Sequence, residues 1–448
     1  MSLFKLNRRQ ALVGIGAGAA LAGLPRAGFA QSSVAPITIV INQSPWFDSF
    51  RKTVELYEAE TGNQVELDVN PFAGSLEKQR NSVRSAAGQY DILIMNSGWF
   101  AEMYAGGFVE AITDIDPGFQ LDPEVYTLGD TVYWDEATRT MPATGKLMSM
   151  PISPLIPLLY YRGDLYAEKG LTVPKTFAEL EANARALHNP PGMYGIVQRG
   201  ARAAHAVAFD FYPYLYGHGG GIFADQLASD YSVTLNSAEG KEALDYYIRL
   251  AQEAGHPQTA ALDQAEVIQN MVTGKAGHIM MVIAAWSQMD DPTKSIVVDK
   301  VEFAAPPSLP GIPSAPGLGH WLGGISKNIP DDRKRAAVEF FRWFQTKEAQ
   351  IAAAQAGGIP INAAVYREPM AEERNFRWMK PLDEALKTSV NIYQFPEASE
   401  VIAVLELGLN RAIGGEITST DALNTMADEI HTIMSRYNYK TGTLPALS

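Results

Sequence analysis

The residue types that most often carry catalysis or bind metals are scattered along this chain. Its seven histidines, at positions 188, 205, 218, 256, 278, 320 and 431, form no His-Glu-x-x-His pattern and no other short ligand spacing. Such spacings put two imidazoles on one helical face, where both can bind zinc. Carboxylate pairs such as Asp135-Glu136 stand in polar segments, although paired carboxylates are also what a glycosidase uses. We therefore expect no metal, no cofactor and no catalytic residues.

Motifs for nucleotide binding and acyl transfer are missing as well. The segment 217–221 is rich in glycine but lacks the Lys-Ser/Thr pair of a phosphate loop, and no Gly-x-Ser-x-Gly elbow occurs. The chain has no cysteine, which excludes disulfides and thiolate sites. With 36 basic and 50 acidic residues, its net charge of -14 repels nucleic acid and anionic membranes. These observations favour a protein that binds a small molecule and is not an enzyme.

Short polar side chains and aromatic rings occur together in three clusters. The clusters are Asn42-Gln43-Ser44-Pro45-Trp46, Asn70-Pro71-Phe72 and Asn96-Ser97-Gly98-Trp99. Sugars present C–H faces to aromatic rings, while their hydroxyl groups need hydrogen-bond donors and acceptors. Asn, Ser, Pro and Gly are also favoured in ordinary turns, so one such cluster would mean little. Three in succession predict the rim of a carbohydrate site.

Further candidates come from aromatic and charged residues that stand among polar or turn residues. Arg199 and Arg202 are either surface charges or, if both enter one cleft, the ligands of an acidic or sulfonated sugar. For each tryptophan, core packing is the alternative to a role in binding. The complete predicted site comprises Asn42, Gln43, Ser44, Trp46, Phe72, Asn96, Ser97, Trp99, Arg199, Arg202, Tyr212, Trp286, His320 and Trp321.

Strands that alternate with helices must position the three clusters. Apolar runs at 37–41 and 91–95, and alternating apolar residues at 65–69, predict three strands with helices between them. Gly62 stands where the first helix should end, and Thr176 with Glu179 forms a capping box for a later one. Such alternation predicts an α/β fold with a parallel sheet. Ligands of open α/β sheets bind beyond the carboxyl ends of the strands, where the clusters stand.

The first thirty residues differ from the rest of the chain. Lys5, Arg8 and Arg9 precede an apolar run from Ala11 to Leu24, and small residues stand three and one positions before a cut after Ala30. This pattern predicts a secretory signal, and its arginine pair is typical of the twin-arginine route, with ordinary Sec export as the alternative. A membrane anchor is the other alternative, but the apolar run is shorter than about 18 residues. We expect a periplasmic protein.

Short motifs between residues 37 and 437 follow one another in the order and spacing of a known family. They are 60–62 (Glu-Thr-Gly), 86–91 (Ala-Ala-Gly-Gln-Tyr-Asp), 106–109 (Gly-Gly-Phe-Val), 160–165 (Tyr-Tyr-Arg-Gly-Asp-Leu), 174–180 (Pro-Lys-Thr-Phe-Ala-Glu-Leu), 273–277 (Thr-Gly-Lys-Ala-Gly) and 357–360 (Gly-Gly-Ile-Pro). The chain resembles extracellular solute-binding protein family 1, the carbohydrate-binding components of bacterial ABC importers. It is most similar to members for sugars and sugar alcohols.

The resemblance implies a periplasmic binding protein-like fold. Each of its two lobes has a central sheet flanked by helices, and the lobes close on a ligand in the cleft between them. We expect one lobe at 36–145 with 301–346 and the other at 146–300 with 347–448. The resemblance also implies a monomer that captures a carbohydrate or polyol. Two membrane permease subunits with a separate ATPase would receive it, which agrees with the absence of a Walker motif here.

Other functions stay open at this point. Another small polar solute, such as a sugar acid, a sulfonated sugar, an amino acid, a polyamine or an iron chelate, is the first alternative. A polyamine would need carboxylates at the strand ends, and the three clusters contain none. An enzyme exported by the twin-arginine route is the second alternative. It would explain the signal, but no cofactor motif follows.

Overall fold

The structure of the protein is a computed structural model that describes residues 34–203 and 205–448. The predicted signal at 1–30 and its cut after Ala30 lie outside these residues. The strands are β1 (Ile37–Asn42), β2 (Val65–Asn70), β3 (Ile92–Asn96), β4 (Val109–Glu110), β5 (Tyr133–Trp134), β6 (Lys146–Leu147), β7 (Ser149–Leu155), β8 (Pro157–Arg162), β9 (Tyr194–Val197), β10 (Phe223–Asp225), β11 (Asp230–Val233), β12 (Ala276–Val282), β13 (Val301–Ala304) and β14 (Gly319–Ser326).

The α-helices connect and cover these strands. They are α1 (Phe47–Thr61), α2 (Phe72–Arg84), α3 (Phe100–Ala105), α4 (Ile112–Ile115), α5 (Gly163–Lys169), α6 (Phe177–Leu187), α7 (Val207–Gly217), α8 (Ala238–Ala254), α9 (Gln264–Val272), α10 (Trp286–Met289), α11 (Asp331–Phe344), α12 (Lys347–Gln355), α13 (Met379–Leu386), α14 (Ala398–Ile413) and α15 (Ser419–Arg436). Gly62 ends α1 with a φ of 74°, and Thr176 with Glu179 forms the capping box of α6. Both predicted helix ends are confirmed.

The first sheet holds the three strands predicted near the amino terminus. Its strand order is β2-β1-β3-β14-β4, and β7 pairs with β14 beyond this path. β1 is parallel to β2 and to β3, whereas β14 runs antiparallel to β3. The carboxyl ends of β1, β2 and β3, at Asn42, Asn70 and Asn96, therefore meet at one edge of the sheet. Helices α1, α2 and α11 pack against this sheet.

The second sheet has the order β13-β8-β12-β9. β12 is parallel to β9 and antiparallel to β8, and β8 is also antiparallel to β13. Helices α6 and α8 pack against β9, and α9 packs against β12. β9 occupies the residues predicted for a strand at 194–197. Both sheets are thus flanked by helices, as the predicted α/β fold requires.

At two strands the sheets differ from the predicted division into lobes. The prediction puts residues 301–346, which include β13, in one lobe with residues 36–145, but β13 pairs with β8 in the second sheet. The prediction puts β7 in the other lobe, with residues 146–300, but β7 pairs with β14 in the first sheet. The physical reason is that pairing depends on hydrogen bonds between distant segments, which periodicity along the chain does not record. The chain therefore passes between the sheets at Ile156, the single residue between β7 and β8, and again between β13 and β14.

Candidate functional site

A cavity of about 370 Å³ lies beyond the carboxyl ends of β1, β2 and β3. Its first wall comes from these strand ends and from the start of β14. Its second wall comes from the segments that follow β9 and β12 and from the start of α9. Most of the predicted site residues line it. They are Asn42, Gln43, Ser44, Trp46, Phe72, Asn96, Arg199, His320 and Trp321. Their roles in binding a solute stay predictions.

Three side chains of the first wall carry buried polar atoms without a hydrogen-bond partner among the described residues. These atoms are Asn42 Oδ1, Ser44 Oγ and Trp46 Nε1. The Asn42 side chain is only 2 % exposed, and its amide nitrogen donates to the Gln43 carbonyl at 3.2 Å. Buried polar groups in folded proteins nearly always have partners, so a group of orphans around a cavity needs an explanation. A bound molecule with several hydroxyl groups would provide the missing partners.

The aromatic rings of Trp46, Phe72 and Trp321 also line the first wall, and Trp99, which lines the second cavity, packs against two of them. The Trp321 ring lies 5.6 Å from that of Trp46, 5.9 Å from Phe72 and 5.5 Å from Trp99, measured between centroids. Phe72 and Trp99 are 4.6 Å apart. The four rings thus form one connected surface beside the orphaned polar atoms. A sugar or polyol can place its C–H groups against such a surface while its hydroxyl groups bond to the polar atoms.

Strand pairing explains why Trp321, far along the chain, joins the early clusters. β14 runs antiparallel to β3 and pairs Trp321 with Asn96. On its other side, the register between β14 and β7 shifts between Trp321 and Leu322, which is typical of a β-bulge. Bulges re-aim a side chain and are frequent next to binding sites. The preceding residue, His320, is 0 % exposed, and its Nε2 lies 2.8 Å from the Thr131 hydroxyl. Its Nε2 is therefore already paired, and its Nδ1 lies 3.3 Å from the Leu318 carbonyl oxygen.

The second wall carries a buried ion pair. Arg199, which is 5 % exposed, places Nε 3.1 Å from Oδ2 of Asp210 and 3.8 Å from Oδ1 of Asp263. Burial raises the pKa of Asp210, and the positive charge of Arg199 opposes that rise. Two carboxyl groups lie close to one guanidinium, so the wall already supplies counter-charge for Arg199 even with the pKa of Asp210 raised to about 7. Arg199 therefore does not require an anionic solute.

His205 completes the second wall in an unusual backbone conformation. Its φ is 65°, in the left-handed region that residues other than glycine seldom occupy. The ring lies 5.3 Å from Phe209 and 5.4 Å from Tyr393, and Nε2 is another buried atom without a partner among the described residues. Burial and the charge of Arg199 lower the pKa of His205 to about 3, so the imidazole is neutral at pH 7. It offers the cavity hydrogen-bonding groups without charge.

Sequence reasoning missed part of the second wall. His205, Phe209, Asp263 and Gln264 line the cavity but were not among the predicted site residues. Asp263 had a usable signal, because Asp263 and Glu266 form a capping box that starts α9. His205 and Phe209 had none, since they reach the cavity through the path of the chain after β9 and not through a motif.

Five predicted residues lie elsewhere. Trp286 is 7 % exposed and packs against Trp378 with centroids 5.0 Å apart, so its ring belongs to the core behind the second sheet. Tyr212 is buried behind His205, 6.1 Å from its ring. Ser97 is buried next to Asn96. None of these three lines a cavity at the cleft, whereas Trp99 and Arg202 line a second cavity beside the first.

The first cavity continues on both sides. The second cavity, of about 430 Å³, shares Phe72, Ala73, Ala203 and His205 with it. A third cavity of about 880 Å³ shares five residues of the opposite end with the first. These are Gln43, Ser44, Pro45, Asp263 and Gln264. The three cavities therefore adjoin one another and are together called the groove here, with the orphaned polar atoms and the aromatic surface near its middle.

The described residues hold neither a candidate metal cluster nor a candidate membrane-spanning helix. Within residues 34–203 and 205–448, no group of three or more His, Asp or Glu side chains is placed to hold a metal ion. Nor does any helix in these ranges combine the length and the apolar character needed to cross a membrane.

Comparison with known proteins gives the family. Residues 42–351 match the model of the bacterial extracellular solute-binding proteins, which is more than half of the chain. The chain belongs to this family. A solute-binding protein from Agrobacterium radiobacter in complex with ribitol superposes with a TM-score of 0.77, over 90 % of this chain and 100 % of that one, at 23 % identity. This likeness confirms the predicted periplasmic binding protein-like fold.

Relatives found by sequence match shorter stretches of this chain. The mannitol-binding protein of Pseudomonas aeruginosa is 24 % identical over 276 residues, which cover 61 % of this chain and 60 % of its own length. A probable amino-acid ABC transporter periplasmic-binding protein of Sinorhizobium fredii is 22 % identical over 306 residues, or 66 % of each chain. The matched stretches thus span less than two thirds of both relatives. Their names concern different solutes, so the solute of this protein has to be argued from its own cavity.

Proposed function

We propose that this solute-binding protein captures a neutral sugar or sugar alcohol for an ABC importer. The observation that carries the proposal is the pairing of two features at one cavity. Asn42 Oδ1, Ser44 Oγ and Trp46 Nε1 are buried without partners, and they lie beside the surface formed by Trp46, Phe72, Trp99 and Trp321. A polyhydroxylated solute satisfies both at once, because it brings hydroxyl groups and C–H faces together.

The charges of the second wall support a neutral solute over an acidic or sulfonated one. Arg199 already lies within ion-pair distance of Asp210 and Asp263. Arg202 lines the second cavity and not the first, so the two arginines do not converge on one anionic group. A carboxylate or sulfonate in the first cavity would also face Asp263. We therefore expect a neutral solute to bind more tightly than its acidic analogue.

The size of the groove favours a solute of one or two monosaccharide-sized units. The first cavity, of about 370 Å³, falls within the usual range of small-molecule sites, which is roughly 300–1,000 Å³. Beyond it the aromatic surface continues into the second cavity through Phe72 and Trp99. A disaccharide would fill both cavities, whereas a polyol such as ribitol would fill only the first.

The rest of the proposal follows from the family and from the amino terminus. We propose that the protein is exported to the periplasm by a twin-arginine signal cut after Ala30, and that it acts there as a monomer. It would deliver its solute to two permease subunits served by a separate ATPase, and would itself carry out no reaction. The pattern of Arg8 and Arg9 before an apolar run supports the export route.

A binding screen tests the proposed solute class. Purified protein is titrated calorimetrically with ribitol, mannitol, glucose, maltose, glucuronate, and a neutral and a basic amino acid. The expected result is binding of at least one neutral sugar or polyol, accompanied by a change in tryptophan fluorescence because Trp46 and Trp321 line the cavity. A solute at 100 times its dissociation constant should also stabilise the fold by roughly 2.7 kcal/mol. Binding of an amino acid or of glucuronate alone would contradict the proposal.

A further inference from the structure

Glu406 has a buried carboxyl group that does not line the first cavity but borders the second, and burial raises its pKa to about 7. It lies on α14, is 2 % exposed, and accepts three backbone hydrogen bonds. Its Oε2 accepts from the N–H of Ala203 at 2.9 Å, and its Oε1 accepts from those of Ala206 at 2.7 Å and Ala208 at 2.8 Å. Burying a carboxylate is costly, so a site that keeps one needs a role for it.

The three donors belong to the segment that builds the second wall. This segment, called here the wall segment, comprises residues 199–203 and 205–208, which run from the end of β9 into α7. Arg199, Ala203, His205 and Ala206 within it line the first cavity. Backbone N–H groups at the start of a helix have no partner within the helix, and a carboxylate is the strongest acceptor for them. Glu406 therefore fixes the wall segment through its backbone.

One turn further along α14, Asn410 holds the beginning of the same segment. Its Nδ2 donates to the carbonyl of Gly200 at 2.7 Å and to that of Ala260 at 2.9 Å. Gly200 is pressed against the neighbouring backbone, because a Cβ at this position would lie 2.4 Å from the Thr259 carbonyl oxygen. Residues 406 and 410 are four apart and so lie on one face of the helix. That face carries an acceptor for the N–H groups and a donor for the carbonyl groups of the wall segment.

The wall segment has a strained backbone conformation that depends on support from its surroundings. His205 has a φ of 65°, which is strained for a residue with a side chain and persists only where the surroundings impose it. The hydrogen bonds to Ala203 and Ala206 lie on either side of it. α14 also reaches the first wall, where the Ser399 hydroxyl donates to the Gly98 carbonyl at 3.4 Å. One helix thus contacts both walls of the groove.

We propose that Glu406 and Asn410 are positioning residues for solute binding. They hold the wall segment, and with it Arg199 and His205, in the geometry that forms the second wall. Neither residue lines the first cavity, and Asn410 lines none of the three, so Asn410→Ala tests positioning without removing a group that borders the solute. Affinity for the solute then depends on two side chains of a helix near the carboxyl terminus of the chain. This role rests on the proposed function, because it requires that a solute bind between the two walls.

The test compares matched variants of the full-length mature protein. Glu406→Gln keeps the size of the side chain but replaces one acceptor oxygen by an amide that cannot accept the Ala203 N–H. Glu400→Gln makes the same change on the same helix, where Glu400 pairs with Arg436 at the surface, and serves as the control. Asn410→Ala removes the donor to Gly200 and Ala260 and provides a second, independent variant.

Two measurements separate positioning from general stability. Hydrogen–deuterium exchange should become faster in peptides that cover 200–208 for Glu406→Gln and Asn410→Ala, and stay unchanged for Glu400→Gln. Affinity for the tightest-binding solute among ribitol, mannitol, glucose and maltose should fall at least tenfold in the first two variants only. Peptides that cover 37–46 and 92–99, in the first wall, should exchange at the same rate as in the wild type.

The possible results distinguish a failure of the positioning role from a failure of the proposed function. Unchanged affinity despite faster exchange would show that the wall segment is not part of the binding wall, and would overturn the positioning role while leaving the proposed function intact. A lower melting temperature with unchanged affinity and unchanged exchange at 200–208 would also overturn it. If the wild-type protein binds none of the four solutes, the proposed function fails, and the positioning role fails with it.

Discussion

The Ser44 hydroxyl offers the cleanest test of the orphaned polar atoms. Its Oγ is buried beside the cavity and has no partner among the described residues. Ser44→Ala deletes this atom and almost nothing else. In the empty protein the change removes a hydroxyl whose burial without a partner costs about 1–3 kcal/mol, so the free energy of unfolding should stay the same or rise. In the complex it removes one hydrogen bond to the solute, worth about 0.5–1.5 kcal/mol, so affinity should fall roughly two- to thirteenfold.

Ser49→Ala is the matched control five residues further along the chain. The Ser49 hydroxyl is buried as well, but it already donates to the Trp46 carbonyl at 2.6 Å. Its removal should lower the free energy of unfolding by about 1 kcal/mol. Thermal unfolding of the solute-free proteins and calorimetric titration with the best-binding solute measure the two effects. If Ser44→Ala destabilises the empty protein as Ser49→Ala does and leaves affinity intact, the orphaned atoms are not the contacts of a solute.

Three further predictions concern the aromatic surface, the motion of the sheets and export. Trp321→Ala and Trp286→Ala should each lower the free energy of unfolding by about 3–5 kcal/mol, but only Trp321→Ala should reduce affinity, because Trp286 packs on Trp378 away from the cavity. Small-angle scattering should give a smaller radius of gyration with solute, since binding between two walls favours the closed population, and identical curves would indicate a rigid groove. Amino-terminal sequencing of the exported protein should begin at Gln31, and an intact Met1 would refute the signal.

Most of the first wall could be predicted because its polar clusters are tied to strands that the sequence reveals. Each of its clusters directly follows a strand whose apolar pattern is visible, and parallel strands bring their carboxyl ends to one edge. β1 and β3 are confirmed within one residue of their predicted bounds, and β2 extends one residue beyond them, to Asn70. Asn42 and Asn96 therefore reach the same cavity although 54 positions separate them in the sequence.

The second wall could not be predicted in the same way. Its residues come from the segments after β9 and β12 and from the start of α9. Their meeting depends on which strands pair across long distances. The sequence pattern of Trp286, an aromatic residue after an apolar strand, is the same as that of Trp46, yet one ring faces Trp378 and the other faces the cavity. Local chemistry cannot separate the two cases, because the difference lies in what the rest of the chain packs against each ring.

The orphaned atoms also explain how such a cavity would select its solute. A cavity whose buried polar groups already have partners gains little affinity from a solute's hydroxyl groups. A cavity with unpaired buried groups binds weakly every solute that fails to pair them. Asn42 Oδ1 needs a donor, Trp46 Nε1 needs an acceptor, and a hydroxyl group can serve as either. Asp210 and Asp263 already supply the counter-charge of Arg199, so the second wall does not demand an anionic solute. Selection would then depend on the number and positions of hydroxyl groups, by which sugars and polyols differ from one another.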